Sequence, residues 1–251
     1  MKAVFLGLLG GFAMLCQPIA HADMEAAQVS LIEGGEAVFY RGEMDTSAIV
    51  QVENLLKNAP EKIKRLVIDS GGGDVNLGMD LAGLVLENNL DVVVERLCAS
   101  SCANYVFPAG KTKRIKQDAV VVWHGSAIQE GLEKGPGIDD IRLSKGAELS
   151  VAEKQKLLDE ALKDNAQYIA DIKKRQAELY KRLGIDARVT VMGQQLKAAE
   201  EWTLSPADMA YFGIHNVTAQ ADYGQAMPAS MKERGVRLLR LQDYPAYKLA
   251  R

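Results

Sequence analysis

Two turns of small residues and one histidine carry the chemistry this sequence could perform. Ser70-Gly71-Gly72-Gly73-Asp74 and Cys98-Ala99-Ser100-Ser101-Cys102 each follow an apolar run, and a third apolar run ends on His124. A hydroxyl or thiol nucleophile, a histidine within hydrogen-bond reach and backbone N–H groups facing a developing oxyanion are the parts of covalent acyl transfer. Ser101, with Ser100 beside it as a rival, stands where a strand pattern gives way to a helix pattern. Neighbouring amides, including that of Cys102, would there point into a site with the positive end of the helix. The glycine run lets a second backbone segment approach closely enough to add another N–H, and one such donor is worth about 3 to 4 kcal/mol of transition-state stabilisation. Each part also has an ordinary structural use, as a turn, an N-cap or a polar strand end, so the reading rests on their order and context.

Other candidates are weaker. Cys102 could itself be a nucleophile at a helix start. Cys98 and Cys102, four residues apart, can close a disulfide if the turn brings their Cβ atoms within about 4.5 Å, or can pack as two reduced thiols; an oxidising compartment favours the disulfide. Gly110-Lys111-Thr112 matches the end of a phosphate-binding loop, but Tyr105 stands where the leading glycine belongs, so no nucleotide site follows. His215, after Gly213, fits a surface or subunit contact better than catalysis. The chain has three histidines, His21, His124 and His215, too few for a histidine-rich metal site. No metal and no cofactor is expected.

The elements that must position these residues alternate regularly. Glu36 to Tyr40 reads as a strand and Thr46 to Asn58 as a helix, with Ile49, Val52, Leu55 and Leu56 on one face. Arg65 to Asp69 is a short apolar strand, followed by the glycine turn and a helix face of Leu77, Leu81, Leu84 and Val85. Asp91 to Leu97 is a third strand, then come the serine turn and a helix from Ala103 to Phe107 that Pro108 and Gly110 end. Ala119 to His124 is a fourth strand. This alternation predicts an α/β fold with a largely parallel sheet, in which ligands bind beyond the carboxyl ends of the strands. Both turns and His124 fall at those ends. Residues 126 to 144 read as a loop, and 151 to 183 as one long, projecting helix closed by Gly184. Ser205-Pro206 starts a last helix and Gly213 closes it; beyond Ala219 the tail is weakly patterned.

Lys2, the apolar run Val4 to Leu15 and Ala20-His21-Ala22 together read as a signal peptide cut after Ala22. A run of twelve apolar residues rises only about 18 Å as a helix, short of a bilayer core. Leu15 before Cys16 disfavours lipidation, and no other segment is apolar enough to span a membrane. The expectation is a periplasmic or secreted protein. A formal net charge of −3 over 251 residues gives no basic surface for nucleic acid, and the length suits one domain.

Several stretches resemble the proteolytic subunit of the Clp protease, within the ClpP/crotonase-like superfamily. They are Asp69 to Val75, Ala99 to Ala103, Ala109 to Arg114, Val120 to His124 and Leu204 to Gly213. The similarity runs over about Val38 to Val217 and extends to exported, uncharacterised relatives of that family. Between the signal peptide over 1–22 and the C-terminal tail over 218–251, it implies a hydrolase domain over 23–217. Position by position it implies Ser101 as nucleophile in preference to Ser100, His124 as base, and backbone oxyanion donors at Gly72 and Cys102. The family's aspartate falls on Glu201, with Glu200 adjacent. Gly71 replaces the family's usual proline, which implies a less preorganised turn. The implied activity is a homo-oligomeric serine peptidase acting on peptides or unfolded chains; the expected export, away from nucleotide, makes it ATP-independent, with no ATPase partner. The alternative is a non-catalytic oligomeric scaffold or peptide-binding protein of the same fold. Crotonases handle acyl-CoA thioesters and rank last, since they need no serine–histidine pair.

Overall fold

The computed structural model describes residues 27–135 and 150–249. The expected signal peptide, with Cys16 and His21, and residues 136–144 of the expected 126 to 144 loop lie outside the described residues. The chain divides into two compact units, one comprising residues 25–129 and 172–251, the other including 130–171.

In the first unit, β1 (Gln28–Ile32) and β2 (Ala37–Arg41) form an antiparallel pair, and α1 (Thr46–Asn58) follows with Asp45 as N-cap. The Asp45 side chain accepts from the Ala48 amide at 2.9 Å, satisfying one of the orphan N–H groups of the first turn. β3 (Arg65–Ser70) leads through the glycine turn into α2 (Val75–Glu87), capped by Asp74 on the Leu77 amide at 2.9 Å. β4 (Asp91–Ala99) then leads through the serine turn into a π-helical segment, Cys102–Val106, continued by α3 (Phe107–Ala109). β5 (Lys113–Ile115) and β6 (Val120–Val122) complete this half. The apolar runs expected as strands are found within a residue or two; β1 and β5 were not foreseen.

Pro108 does not end the helix after the serine turn; Gly110 does. Proline has no N–H to give the preceding turn, and the Asn104 carbonyl left over there accepts instead from the Tyr180 hydroxyl at 2.7 Å.

The second half of the unit begins with the C-terminal part of α4 (Val151–Leu183) and continues through α5 (Met192–Gln195), β7 (Trp202–Leu204), α6 (Pro206–Tyr211) and β8 (Val217–Thr218). Ser205 caps α6 by accepting from the Asp208 amide at 3.1 Å, as its Ser-Pro start predicts. The segment read as a weakly patterned tail carries α7 (Ala229–Glu233), β9 (Arg237–Leu239) and α8 (Pro245–Leu249), and β9 pairs in parallel with β7.

The main sheet runs β1-β2-β3-β4-β5-β8, parallel except for β1, with β6 also paired to β4. β4 serves two partners because its register slips: Ile68 faces Val94 but Ser70 faces Cys98. This bulge bends the strand. Before it Val92, Val93 and Val94 pair with β5, and after it Leu97, Cys98 and Ala99 pair with β6. The result is an α/β fold with a mostly parallel sheet and one long helix.

The described part of the other unit is a 3-10 turn, Leu132–Lys134, and the N-terminal part of α4, which is 33 residues long in all. Ser150 and Glu153 close a capping box at its start, with the Ser150 amide donating to Glu153 at 2.9 Å and the Glu153 amide to Ser150 at 3.3 Å. The Asn165 amide donates to the Leu132 carbonyl at 3.1 Å. No helix among the described residues is long and apolar enough to cross a membrane.

Candidate active site

The glycine turn and the serine turn meet because β3 and β4 are parallel neighbours that end at the same level. Gly72 has φ +101°, a conformation open to glycine and strained for other residues. A Cβ there would lie 2.6 Å from the Ser100 Cβ, 2.8 Å from the Ala99 carbonyl oxygen and 2.9 Å from the Ser101 nitrogen. The two backbones are thus in direct contact. Below the turn, buried Asp69 accepts from Arg96 Nε at 2.8 Å and Arg41 Nε at 3.2 Å, which fixes the end of β3 against its neighbours.

The serine turn is tight. Ser100 takes φ +54°, its amide donates to the Val122 carbonyl at 3.1 Å, and its carbonyl accepts from the Asn104 amide at 2.8 Å. Ser101 has helical φ and ψ, so Cys102 stands in the first turn, where N–H groups lack intrahelical partners. Cys98 and Cys102 are joined by a disulfide with their Cα atoms 5.2 Å apart, a covalent loop around both serines. The π-helical stretch that follows is a rare conformation found often at functional sites.

Ser101 is 2% exposed, and its hydroxyl donates to the Gly73 carbonyl at 2.8 Å. Gly78 of α2 makes room for it: a Cβ on Gly78 would come within 2.8 Å of the Ser101 Cβ. The Gly72 amide donates to the Ser70 hydroxyl at 3.1 Å. Both the hydroxyl and this expected oxyanion donor therefore have partners inside the turns.

His124 is placed by an antiparallel bridge. Trp123 and Trp202 exchange backbone hydrogen bonds of 2.8 and 2.9 Å, which puts His124 and Glu201 at the next facing position. The carbonyl of His124 accepts from Gln194 Nε2 at 2.9 Å, and that of Gly125 accepts from Asn104 Nδ2 at 2.8 Å. Asn104 thus ties the helix behind Ser101 to the segment behind His124. Burial holds the half-buried imidazole below its ordinary basicity; the Glu201 carboxylate pulls it back up and the Arg234 guanidinium pushes it down again.

Glu201 is held in a fork by Arg234, with Nε to Oε2 and Nη2 to Oε1 both at 2.5 Å. Glu200 is exposed. No side-chain hydrogen bond joins Ser101 to His124 or His124 to Glu201 in this arrangement. Two buried polar atoms flank the site without a hydrogen-bond partner, Asn104 Oδ1 and Trp123 Nε1.

The structure therefore gathers Ser100, Ser101, Gly72 and the cysteine pair into one contact, and sets His124 opposite Glu201. Sequence reasoning missed Ser70, Gly78, Asn104 and Arg234. A glycine inside the apolar pattern of α2 was a readable sign of close packing; Arg234, 33 residues from its partner, gave no local sign.

A solved structure, a mutant ClpP1 from Listeria monocytogenes, is similar over 75% of this chain and 94% of that chain, at 15% identity and a TM-score of 0.44. No family model and no curated protein matches the chain. Functional roles are accordingly argued from this chain's own residues.

Proposed function

We propose that this chain is an exported serine hydrolase that cleaves peptide bonds through an acyl-enzyme. The observation that carries the reading is the contact of the Gly72 backbone with Ser100 and Ser101, which puts amide donors and a hydroxyl in one place. Ser101 Oγ attacks the substrate carbonyl carbon while its proton passes to His124. The oxyanion is met by the Cys102 amide and, once it leaves Ser70, by the Gly72 amide. The imidazolium returns the proton to the departing amine, and water then cleaves the ester by the same route. Glu201, with Glu200 beside it, supplies the charge that orients and stabilises the imidazolium. The Cys98–Cys102 disulfide fits an oxidising compartment. Homo-oligomerisation and peptide or unfolded-chain substrates belong to the same proposal and rest on the resemblance; independence from an ATPase rests on the exported location, away from nucleotide.

Two observations favour other readings. Ser100 is less buried than Ser101 and has the strained backbone that nucleophiles on strand-to-helix turns adopt, which makes it the alternative nucleophile. The engagement of Ser101 by Gly73, Gly72 by Ser70 and Glu201 by Arg234 is what a scaffold or peptide-binding protein with lapsed chemistry would show.

A fluorophosphonate probe with adduct mapping by mass spectrometry separates the three. The full chain is treated beside Ser101→Ala, Ser100→Ala and His124→Ala. The expected result is an adduct on Ser101 that vanishes in Ser101→Ala and His124→Ala and survives in Ser100→Ala. An adduct on Ser100 moves the nucleophile by one residue, and no adduct in any oligomeric form selects the scaffold.

A further inference from the structure

The C-terminal segment reaches the site at one carboxylate. Arg234 stands at the end of α7, and Gly235, at φ +88°, turns the chain into β9, where Arg237 faces Trp202. The Arg237 amide donates to the Glu201 carbonyl at 3.0 Å and its guanidinium to the Ala198 carbonyl at 3.2 Å. The backbone on one side of Glu201 and its carboxylate are therefore gripped by residues 234 to 237. The grip is anchored: Met227 and Val236 share a buried cluster with Ala99, Val120 and Val122, and Met231 packs against it. Those are the strands that carry the serine turn and lead to His124.

We propose that Arg234 is a positioning residue that latches the site, holding Glu201 away from the imidazole until the fork opens. The inference rests on the Ser101–His124–Glu201 reading. A two-point guanidinium–carboxylate fork is the strongest and most directional of the ordinary ion pairs, and here it meets both carboxylate oxygens. The carboxylate opposite His124 is thereby turned toward the arginine, and no bond to the imidazole forms. The charged groups that act on His124 are Glu201, from the start of β7, and Arg234, from the end of α7; Gln194 and Asn104, from the other neighbouring elements, are neutral. The pair is partly open to water, with side-chain exposures of 39% for Arg234 and 20% for Glu201, so the fork is a modest lock that one substitution can release.

The test compares wild type, Arg234→Gln, Arg234→Lys, Glu201→Gln and the Arg234→Gln/Glu201→Gln double variant by NMR titration of the His124 ring. Fluorophosphonate labelling of Ser101 is followed in parallel at a pH where the imidazole is neutral in every protein. Release of the latch raises the His124 pKa in Arg234→Gln by more than the same change does in the Glu201→Gln background, because a new contact with Glu201 adds to simple loss of a positive charge. Labelling quickens by about tenfold or more, the low side of what a positioned base supplies, and the gain disappears in the double variant. Arg234→Lys, which keeps the charge but not the fork, also labels faster than wild type. The latch is refuted if Arg234→Gln labels no faster than wild type, or if its effect on His124 is the same with and without Glu201. If Ser101 is unlabelled in all five proteins, the hydrolase reading fails, and the hold of Arg234 on Glu201 is decided by the NMR comparison alone.

Discussion

Adjacent glycines in the turn after β3 should respond in opposite directions to the same substitution. Gly72 has φ +101° and would place a Cβ 2.6 to 2.9 Å from Ser100 Cβ, Ala99 O and Ser101 N. None of these atoms is the free end of a flexible side chain, so backbone must move. Backbone strain of about 1 to 3 kcal/mol and overpacking of about 1 to 3 kcal/mol give Gly72→Ala a loss of about 2 to 6 kcal/mol. For a chain of this length that lowers Tm by about 5 to 20 °C. Displacing the amide from the serine turn should also slow labelling of Ser101 by about 10² to 10³, the worth of one oxyanion donor. Gly71, one residue earlier, lacks a positive φ and would meet nothing within 4 Å. Gly71→Ala should therefore raise stability by about 0.4 to 1 kcal/mol, through the entropy of the unfolded chain. Thermal and urea unfolding of the two variants beside wild type is the assay. A Gly72→Ala protein that melts within a degree of wild type would refute the contact on which the site reading stands.

Replacing Cys98 and Cys102 together by alanine should cost about 2 kcal/mol by the loop-entropy model, read by urea unfolding. If the disulfide braces the serine turn, labelling of Ser101 falls by more than the unfolded fraction explains; equal losses would make the bond structural only. His124 titrates below its ordinary value of 6.5 because burial disfavours its charged form. The unfolded chain then takes up the proton first as pH falls, so wild type loses stability below about pH 6.5 relative to His124→Gln, and the acid limb of Ser101 labelling lies below 6.5. A limb above that value would place the imidazole in a different environment.

The helix Thr46–Asn58, the strand cores at 65–69 and 91–97 and the capped start of α6 follow from short-range pattern, because periodicity and capping involve residues a turn apart. Small residues in the two turns announced close backbone approach, and the spacing of Cys98 and Cys102 already allowed the bond that is found. β5 escaped because three residues carry too little pattern to separate strand from loop. The bulge in β4 escaped because it is a shift in pairing between strands distant in sequence, which no local pattern marks. The helix's continuation past Pro108 is not legible locally, since the Asn104 carbonyl one turn before it finds its partner in Tyr180, more than seventy residues away. Sequence alone thus determined an α/β chain with a serine turn, a glycine turn and a histidine at strand ends. Tertiary structure alone decided that Gly72 touches the serine turn, that His124 faces Glu201, and that Arg234 holds that carboxylate. Those contacts join residues 28 to 33 positions or more apart, or strands from opposite halves of the chain, where no local pattern of polarity or conformation constrains the partner.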